Sequence, residues 1–440
     1  MRDRDTAPPA PGFWTLASVE GWERFAIQGA KSLLTLFLLT DLLARPAGSV
    51  AGLAALRAAI EGVTGAHGDI AFASQLYGLY GALTYLVLPL GGWIADRSGR
   101  RRPAMYAGAA LLALGLVTLA GRALTLVGLA LMIAGIGLLK GNLAAEVGAL
   151  RGKTGGERLF AAYLACLNGG TMLGPLLCGW LAARWGFAPA FIAMALSMGV
   201  AMLLLRTAPR VALAAEPDDT EEGGAVDWAR VVPAIVAVTL CFCAYEQLTN
   251  IMLVWAKARV DLTVAGFAVP PSWLAAADGL FTIALALGAY RLWPWLARRG
   301  REPASAIKLA LGGVAIALAY ALLTALSARS GMIGLGGPLA TILLLDIGVV
   351  LSWPAALAIV NAAAPPARRG TMTGLFYLHG FAAHLVVGQL GAFYAGMSAS
   401  HFWLIHAALA LAGAGVALAI PRRAATGQAI TTSTPASPSA

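Results

Sequence analysis

The chain has 440 residues, of which 59% are hydrophobic and only 12% charged, with a mean hydropathy of +0.76. Soluble domains carry charge on about a quarter of their residues, so a water-soluble globule is excluded. A transmembrane barrel is excluded as well, because its strands alternate over about ten residues, whereas apolar runs long enough for a helical span recur along this whole sequence.

The sequence therefore reads as an all-α polytopic membrane protein. Twelve spans are expected, at about 14–43, 71–95, 103–121, 124–150, 158–183, 186–206, 230–256, 272–296, 305–327, 336–362, 370–396 and 400–420. Residues 1–13 form a polar tail without the apolar core of a signal peptide. Residues 14–207 make a first six-helix bundle and 230–420 a second. Between them, 208–229 is an acidic, Gly-rich linker, and 421–440 reads as a disordered tail. The net charge of +10 suggests nucleic acid until its placement is considered. With both termini cytoplasmic, twenty of the 31 Lys and Arg fall inside, seven outside and four within spans. This positive-inside bias implies a multi-pass protein of the plasma (inner) membrane with lipid as neighbour and no nucleic-acid partner. Cys166, Cys178, Cys241 and Cys243 all fall in spans. Cys241 and Cys243 point about 200° apart, so no metal site is expected.

The first span ends apolar but begins with Glu20, Glu23, Arg24 and Lys31. At 100° per residue, Glu20, Arg24 and Lys31 lie within about 40° of one another, with Gln28 at about 80° and Glu23 at about −60° from Glu20. A charged stripe of this kind faces the bundle interior or a watery cavity, since each charge turned to lipid costs at least a few kcal/mol. After the second span comes "GGWIADRSGRRRP", 91–103, with Gly92, Asp96, Arg97, Gly99, Arg100 and Arg101. Gly91 and Gly92 permit close helix approach, and Asp96 can pair with basic groups at neighbouring helix ends, as a conformational latch. "WPWLARRGREP", 293–303, echoes it after the eighth span. Repeated halves packed face to face leave a midplane cavity served by alternating access.

Other spans carry polar groups. These are Lys140 and Glu146 in the fourth, Tyr245, Glu246, Gln247 and Asn250 in the seventh, Asp278 in the eighth and Asp346 in the tenth. Intramembrane ionisable groups are functional candidates. His379 and His384 in the eleventh span are about 140° apart, so at most one faces a given site, and each reads first as a hydrogen-bonded packing residue.

The 91–103 stretch resembles the loop signature of the major facilitator superfamily. "Glu20-x-x-Glu23-Arg24-Phe25" resembles the ExxERF signature of its proton-dependent oligopeptide transporter (POT) branch. "GIGLLKGN" at 135–142, "YLACLNGGTMLGPLL" at 163–177, "FCAYEQ" in the seventh span and "RRGTMTGLFYL" at 368–378 are similar to other stretches of that branch. The resemblance implies twelve helices in two six-helix bundles and a proton-coupled symporter that imports small peptides or peptide-like carboxylates. No cofactor is implied beyond the coupling proton. It implies proton coupling through Glu20, Glu23, Arg24, Lys31 and Glu246, with Lys31 pairing with Glu246. It implies substrate binding through Arg24, Gln28, Tyr77, Lys140, Asn168, Glu246, Trp273, Asp278 and Asp346. The chain departs from the branch at Ile27-Gln28 in place of a Tyr pair, at Gly141 in place of Pro, and at Val349 in place of the tenth-span Glu that grips a peptide's amino terminus. These changes predict a more apolar cavity end that accepts an acyl cap, or an ammonium relocated toward Asp346. A monomer is expected. The alternatives are a proton-driven exporter of amphipathic compounds and a non-transporting sensor. No nucleophile–base pair or metal-ligand cluster suggests an enzyme.

Overall fold

The computed structural model describes residues 12–46, 48–154, 157–208 and 224–421. The expected linker core at 209–223 and most of both tails lie outside the described residues. The first half comprises α1 (Phe13–Phe37), which runs on into a π-helical turn at Leu38–Leu42, then α2 (Leu53–Thr64), α3 (Asp69–Ser98), α4 (Arg101–Gly121), α5 (Thr125–Thr154), α6 (Glu157–Trp185) and α7 (Phe187–Thr207). The second half comprises α8 (Trp228–Tyr245), α9 (Ile251–Arg259), α10 (Trp273–Arg298), α11 (Ser305–Ser327), α12 (Gly336–Ala362), α13 (Arg369–Ala392) and α14 (Ala399–Leu418). Among the described residues, eleven helical stretches are long and apolar enough to cross a membrane. The expected fifth span lies on α6, whose 29 residues pack along α1.

Two features depart from the expected spans. The first is α2, a 12-residue helix in the 43–70 connection. It closes at Gly65, which adopts φ 67°, a left-handed conformation open to Gly without a steric penalty. Arg57 holds it by bridging Glu61 and Asp69, each at 2.8 Å. The second departure is the seventh span, which is broken rather than continuous. α8 stops at Tyr245, a 3-10 turn occupies Glu246–Thr249, and α9 starts after Asn250 at φ −109°, ψ −103°. Side chains stabilise the break. The Asn250 amide donates to Ser74 Oγ at 2.7 Å and to Gln247 Oε1 at 3.1 Å, while its Oδ1 accepts from Thr35 at 3.0 Å. Helix breaks at membrane depth survive where neighbouring helices satisfy the polar groups in this way. Among the described residues, the strands are each two residues long. β1 (Val260–Asp261) pairs in parallel with β4 (Ile333–Gly334), and β2 (Thr263–Val264) forms a hairpin with β3 (Phe267–Ala268).

The packing repeats as the motif echo predicts. In the first half α4 lies against α5 and α7, α1 against α6, and α3 against α5. In the second, α11 lies against α12 and α14, α8 against α13, and α10 against α12. Each half buries its own apolar core, including Phe72, Leu112 and Phe191 in the first and Trp255, Tyr320 and Trp403 in the second. The halves meet along two matched seams, α3 with α13 and α6 with α10. At the first seam Gly78 meets Gly388 backbone to backbone. A Cβ on Gly78 would lie only 2.6 Å from Gly388 Cα, so the crossing requires Gly there.

Candidate functional site

The charged stripe of α1 turns inward. Glu23 is fully buried and Glu20 nearly so, because α1 lies against α6 with little room: a Cβ on Gly170 would strike the Gly21 carbonyl. Three elements of the first half then supply partners. Tyr163 of α6 donates to Glu20 Oε2 at 2.6 Å, and Lys140 of α5 reaches Glu23 Oε1 at 3.3 Å and Oε2 at 3.5 Å. Arg24 stands beside Glu23 with its Nε 3.9 Å from Oε2. That buried Nε has no hydrogen-bond partner among the described residues. Glu20, Glu23, Arg24 and Lys140 are thus one cluster, held entirely within one half.

About two turns beyond Arg24 along α1, Lys31 donates to Glu246 Oε2, joining the two halves. Glu246 sits at the start of the 3-10 turn, so the helix break places its carboxylate at the seam. The same carboxylate oxygen lies 3.5 Å from His384 Nε2 of α13. His384 is therefore the histidine of the pair that faces a site. Angular spacing along a helix says that the two histidines diverge but not which one meets Glu246.

A small cavity of about 40 Å³, room for a few water molecules, opens beside this ion pair. Gln28, Lys31 and Thr171 of the first half line it, with Tyr245, Glu246 and Asp278 of the second. Tyr245 donates to Asp278 Oδ1 at 2.6 Å. Asp346 is fully buried and accepts from Thr282 at 3.3 Å. It lies against the Asp278 carboxyl and is not on the cavity wall, to which α10 contributes and α12 does not. Val349 is only half-buried and is not part of this wall either. Two acidic groups thus line the cavity, Glu246, which is paired with Lys31, and Asp278.

Of three further candidates, Tyr77 and Trp273 serve the seams. Tyr77 is buried and bonds to Thr249 at 2.6 Å, bracing the broken helix instead of lining the cavity. Trp273 donates from Nε1 to the Leu176 carbonyl at 2.9 Å, tying α10 to α6. Asn168 is buried in α6, on the same helix as the cavity residue Thr171.

At the far end of α3, Gly99 at φ 63° ends the helix, and Asp96 pairs with Arg101 at the start of α4. Arg97 lies 5.8 Å from the Trp93 ring centre, and the Arg100 amide bonds to Ser98. Of the two glycines, Gly91 makes the close contact, against the Gly137 backbone. A Cβ on Gly92 would meet nothing within 4 Å, although its amide nitrogen borders Gly141. The buried link at this end is Arg102, which pairs with Glu146 at 2.9 Å and donates to the Leu205 carbonyl at 3.0 Å. Arg102 looked like one more cytoplasmic charge in sequence. The described residues contain no group of three His, Cys, Asp or Glu close enough to hold a metal.

Comparison with known proteins agrees with this architecture. The sequence profile of the Major Facilitator Superfamily matches residues 46–388. The chain is 26% identical over 460 residues to the peptide transporter YePEPT of Yersinia enterocolitica subsp. palearctica, covering 84% of this chain and 85% of that protein. It is 23% identical over 473 residues to a di-/tripeptide transporter of Lactococcus lactis subsp. cremoris, covering 90% and 91%. Among solved structures, the peptide transporter POT in complex with sulfate superposes with a TM-score of 0.78 at 22% identity, covering 93% of this chain and 94% of that one. A POT family transporter in complex with a thioalcohol-conjugated peptide superposes at 0.75 and 19%, covering 92% and 95%. The chain belongs to the Major Facilitator Superfamily, is similar to peptide transporters of its POT branch, and is a multi-pass membrane transporter rather than an enzyme.

Proposed function

We propose that this protein is a proton-coupled symporter of the inner membrane that imports small peptides or peptide-like carboxylates, works as a monomer with both termini cytoplasmic, and uses no cofactor besides the coupling proton. One observation carries the reading: Glu246 and Lys31 form an ion pair that joins the two halves at the wall of the cavity. A carboxylate paired across a moving seam answers to protonation. Charged, it holds Lys31 and the halves together there. Neutral, it releases Lys31 and favours separation. The peptide transporters among its relatives support the substrate class.

The cluster around Arg24 supplies the positive pole. Its guanidinium is a planar fork suited to a carboxylate, and its unsatisfied Nε leaves hydrogen-bonding capacity for a ligand. Lys140 adds a second positive charge, and Glu20 and Glu23 keep the pole from being a bare buried cation. Within the cavity, Asp278 is the carboxyl not paired with Lys31, and so the one that an ammonium would meet. The test is uptake into proteoliposomes under an inward proton gradient. Glu246→Gln is expected to lose concentrative uptake and to retain exchange of labelled for unlabelled substrate. If Glu246→Gln still concentrates substrate, the assignment fails.

A further inference from the structure

The Lys31–Glu246 pair has a third member, His384. His384 is 1% exposed. Its Nδ1 lies 2.9 Å from the Gly380 carbonyl one turn back on α13. A carbonyl oxygen only accepts, so Nδ1 carries the hydrogen, and Nε2 is the nitrogen that gains or loses a proton. Nε2 stands 3.5 Å from Glu246 Oε2, the oxygen that Lys31 also approaches. With the imidazole neutral and the glutamate charged, two lone pairs face each other across that gap. A single added proton removes the conflict, as N–H on Nε2 or as O–H on Oε2.

The ring has no freedom to turn away. It lies against α3 at Gly81, where an added Cβ would overlap the imidazole. Tyr77 and Tyr85 of α3 and Phe242 of α8 enclose it at 6.2, 5.3 and 6.4 Å between ring centres. The remaining titratable neighbours are Cys243 of α8, whose Sγ points at the Ala383 carbonyl, and His379, which is turned toward Phe242 and Phe376. Tyr245 separates this pocket from Asp278, and α12 presents Trp353 to the same apolar cluster. Among the described residues, the charged groups that face His384 are Glu246 and, through it, Lys31.

We propose that His384 completes the proton-binding site, and that the transported proton lodges between His384 Nε2 and Glu246 Oε2. This rests on the reading of Glu246 as the coupling carboxylate. The proton arrives from hydronium on one side and leaves to water on the other, and no electrons change hands. Loading it changes the partner of Glu246. Unloaded, the carboxylate binds Lys31 across the seam. Loaded, it binds His384, which belongs to its own half. The histidine thereby turns a protonation event into the loss of a link between halves, and it explains how Glu246 accepts a proton without surrendering all its partners.

The test uses the full-length protein in proteoliposomes with a dipeptide substrate. His384→Gln keeps an amide donor near Glu246 but cannot carry a proton. It is expected to lower gradient-driven uptake roughly a hundred-fold, the scale of losing a positioned proton acceptor, while counterflow exchange stays within about three-fold. Wild-type accumulation by His384→Gln alongside loss in Glu246→Gln would overturn this inference alone. Accumulation by both variants would overturn the coupling reading as well. If His384→Gln fails to fold, acid–base infrared difference spectra of ring-labelled histidine decide. One histidine component is expected to change on Glu246→Gln, because the carboxylate facing Nε2 is removed. Histidine bands identical in both proteins would overturn the proposal.

Discussion

The two buried charge clusters of α1 lie about 10 Å apart along one helix axis, yet they are built on opposite plans. Glu20, Glu23 and Arg24 find Tyr163 and Lys140, all within the first half. Lys31 finds Glu246 and, through it, His384, both in the second half. A cluster satisfied inside one half keeps its geometry when the halves rock, so it can hold a ligand throughout the cycle. A cluster that straddles the seam must be remade in each cycle, so it can sense and drive the movement. The same helix serves both because its stripe is long enough to run from the interior of one bundle to the seam.

The largest expected effect separates the two plans by stability. Lys140→Leu leaves the fully buried Glu23 with only Arg24 at 3.9 Å, and should cost about 3–5 kcal/mol, as breaking a buried pair does. Lys31→Leu should cost less, since His384 remains beside Glu246. Thermal unfolding in detergent compares them. Equal losses would erase the distinction drawn here.

A second, smaller effect concerns the ligand. Replacing a substrate's carboxylate by an amide should weaken binding by roughly 1.5–3 kcal/mol, the range for hydrogen bonds to charged groups. The loss should vanish in Arg24→Gln and persist in Lys31→Gln. Competition against labelled dipeptide reads it. Persistence in Arg24→Gln would move the carboxylate to the seam cluster.

Asp278 on the cavity wall offers a finer test. N-acetylation of a competing dipeptide should weaken it by about 1 kcal/mol, and Asp278→Asn should abolish the difference, whereas Asp346→Asn should not. A wild-type protein indifferent to the acetyl group would instead restore the apolar reading suggested by Ile27 and Val349.

Smallest are the surface pairs, which lie within one half and should leave coupling untouched. Asp96→Asn loses a solvent-facing partner of Arg101 and should change stability by about 0–1 kcal/mol. Around α2, the hydrogen bond from Arg57 holds the Glu61 carboxyl below the usual glutamate range. A depressed carboxyl contributes in full above its unfolded value, and that contribution fades as pH falls through the folded one. The protection of α2 amides, corrected for the intrinsic pH dependence of exchange, should therefore fall on acidification in the wild type, and Arg57→Ala should remove most of that fall. A change in the proton-to-substrate ratio from either variant would mean that these ends take part in coupling.

Much of this was legible in the amino-acid order. Twelve apolar runs, a motif repeated after the second and eighth spans, and a charged stripe facing one way are local properties of composition and helical period. A bilayer permits few structures that satisfy them. The partnership of Lys31 with Glu246 was also legible, through family resemblance. What only the tertiary structure decided was which groups meet across helices. The break at Glu246–Thr249 depends on Thr35 and Ser74 reaching Asn250 from the other half. The choice of His384 over His379 depends on how α13 rolls against Gly78 and Gly81 of α3. Asp278, rather than Asp346, faces the cavity because of the depth at which α10 and α12 pack. Helical period sets the angle of each side chain about its own axis. It does not set the rotation, depth or crossing of one helix against another, and those depend on close packing between residues far apart in the chain.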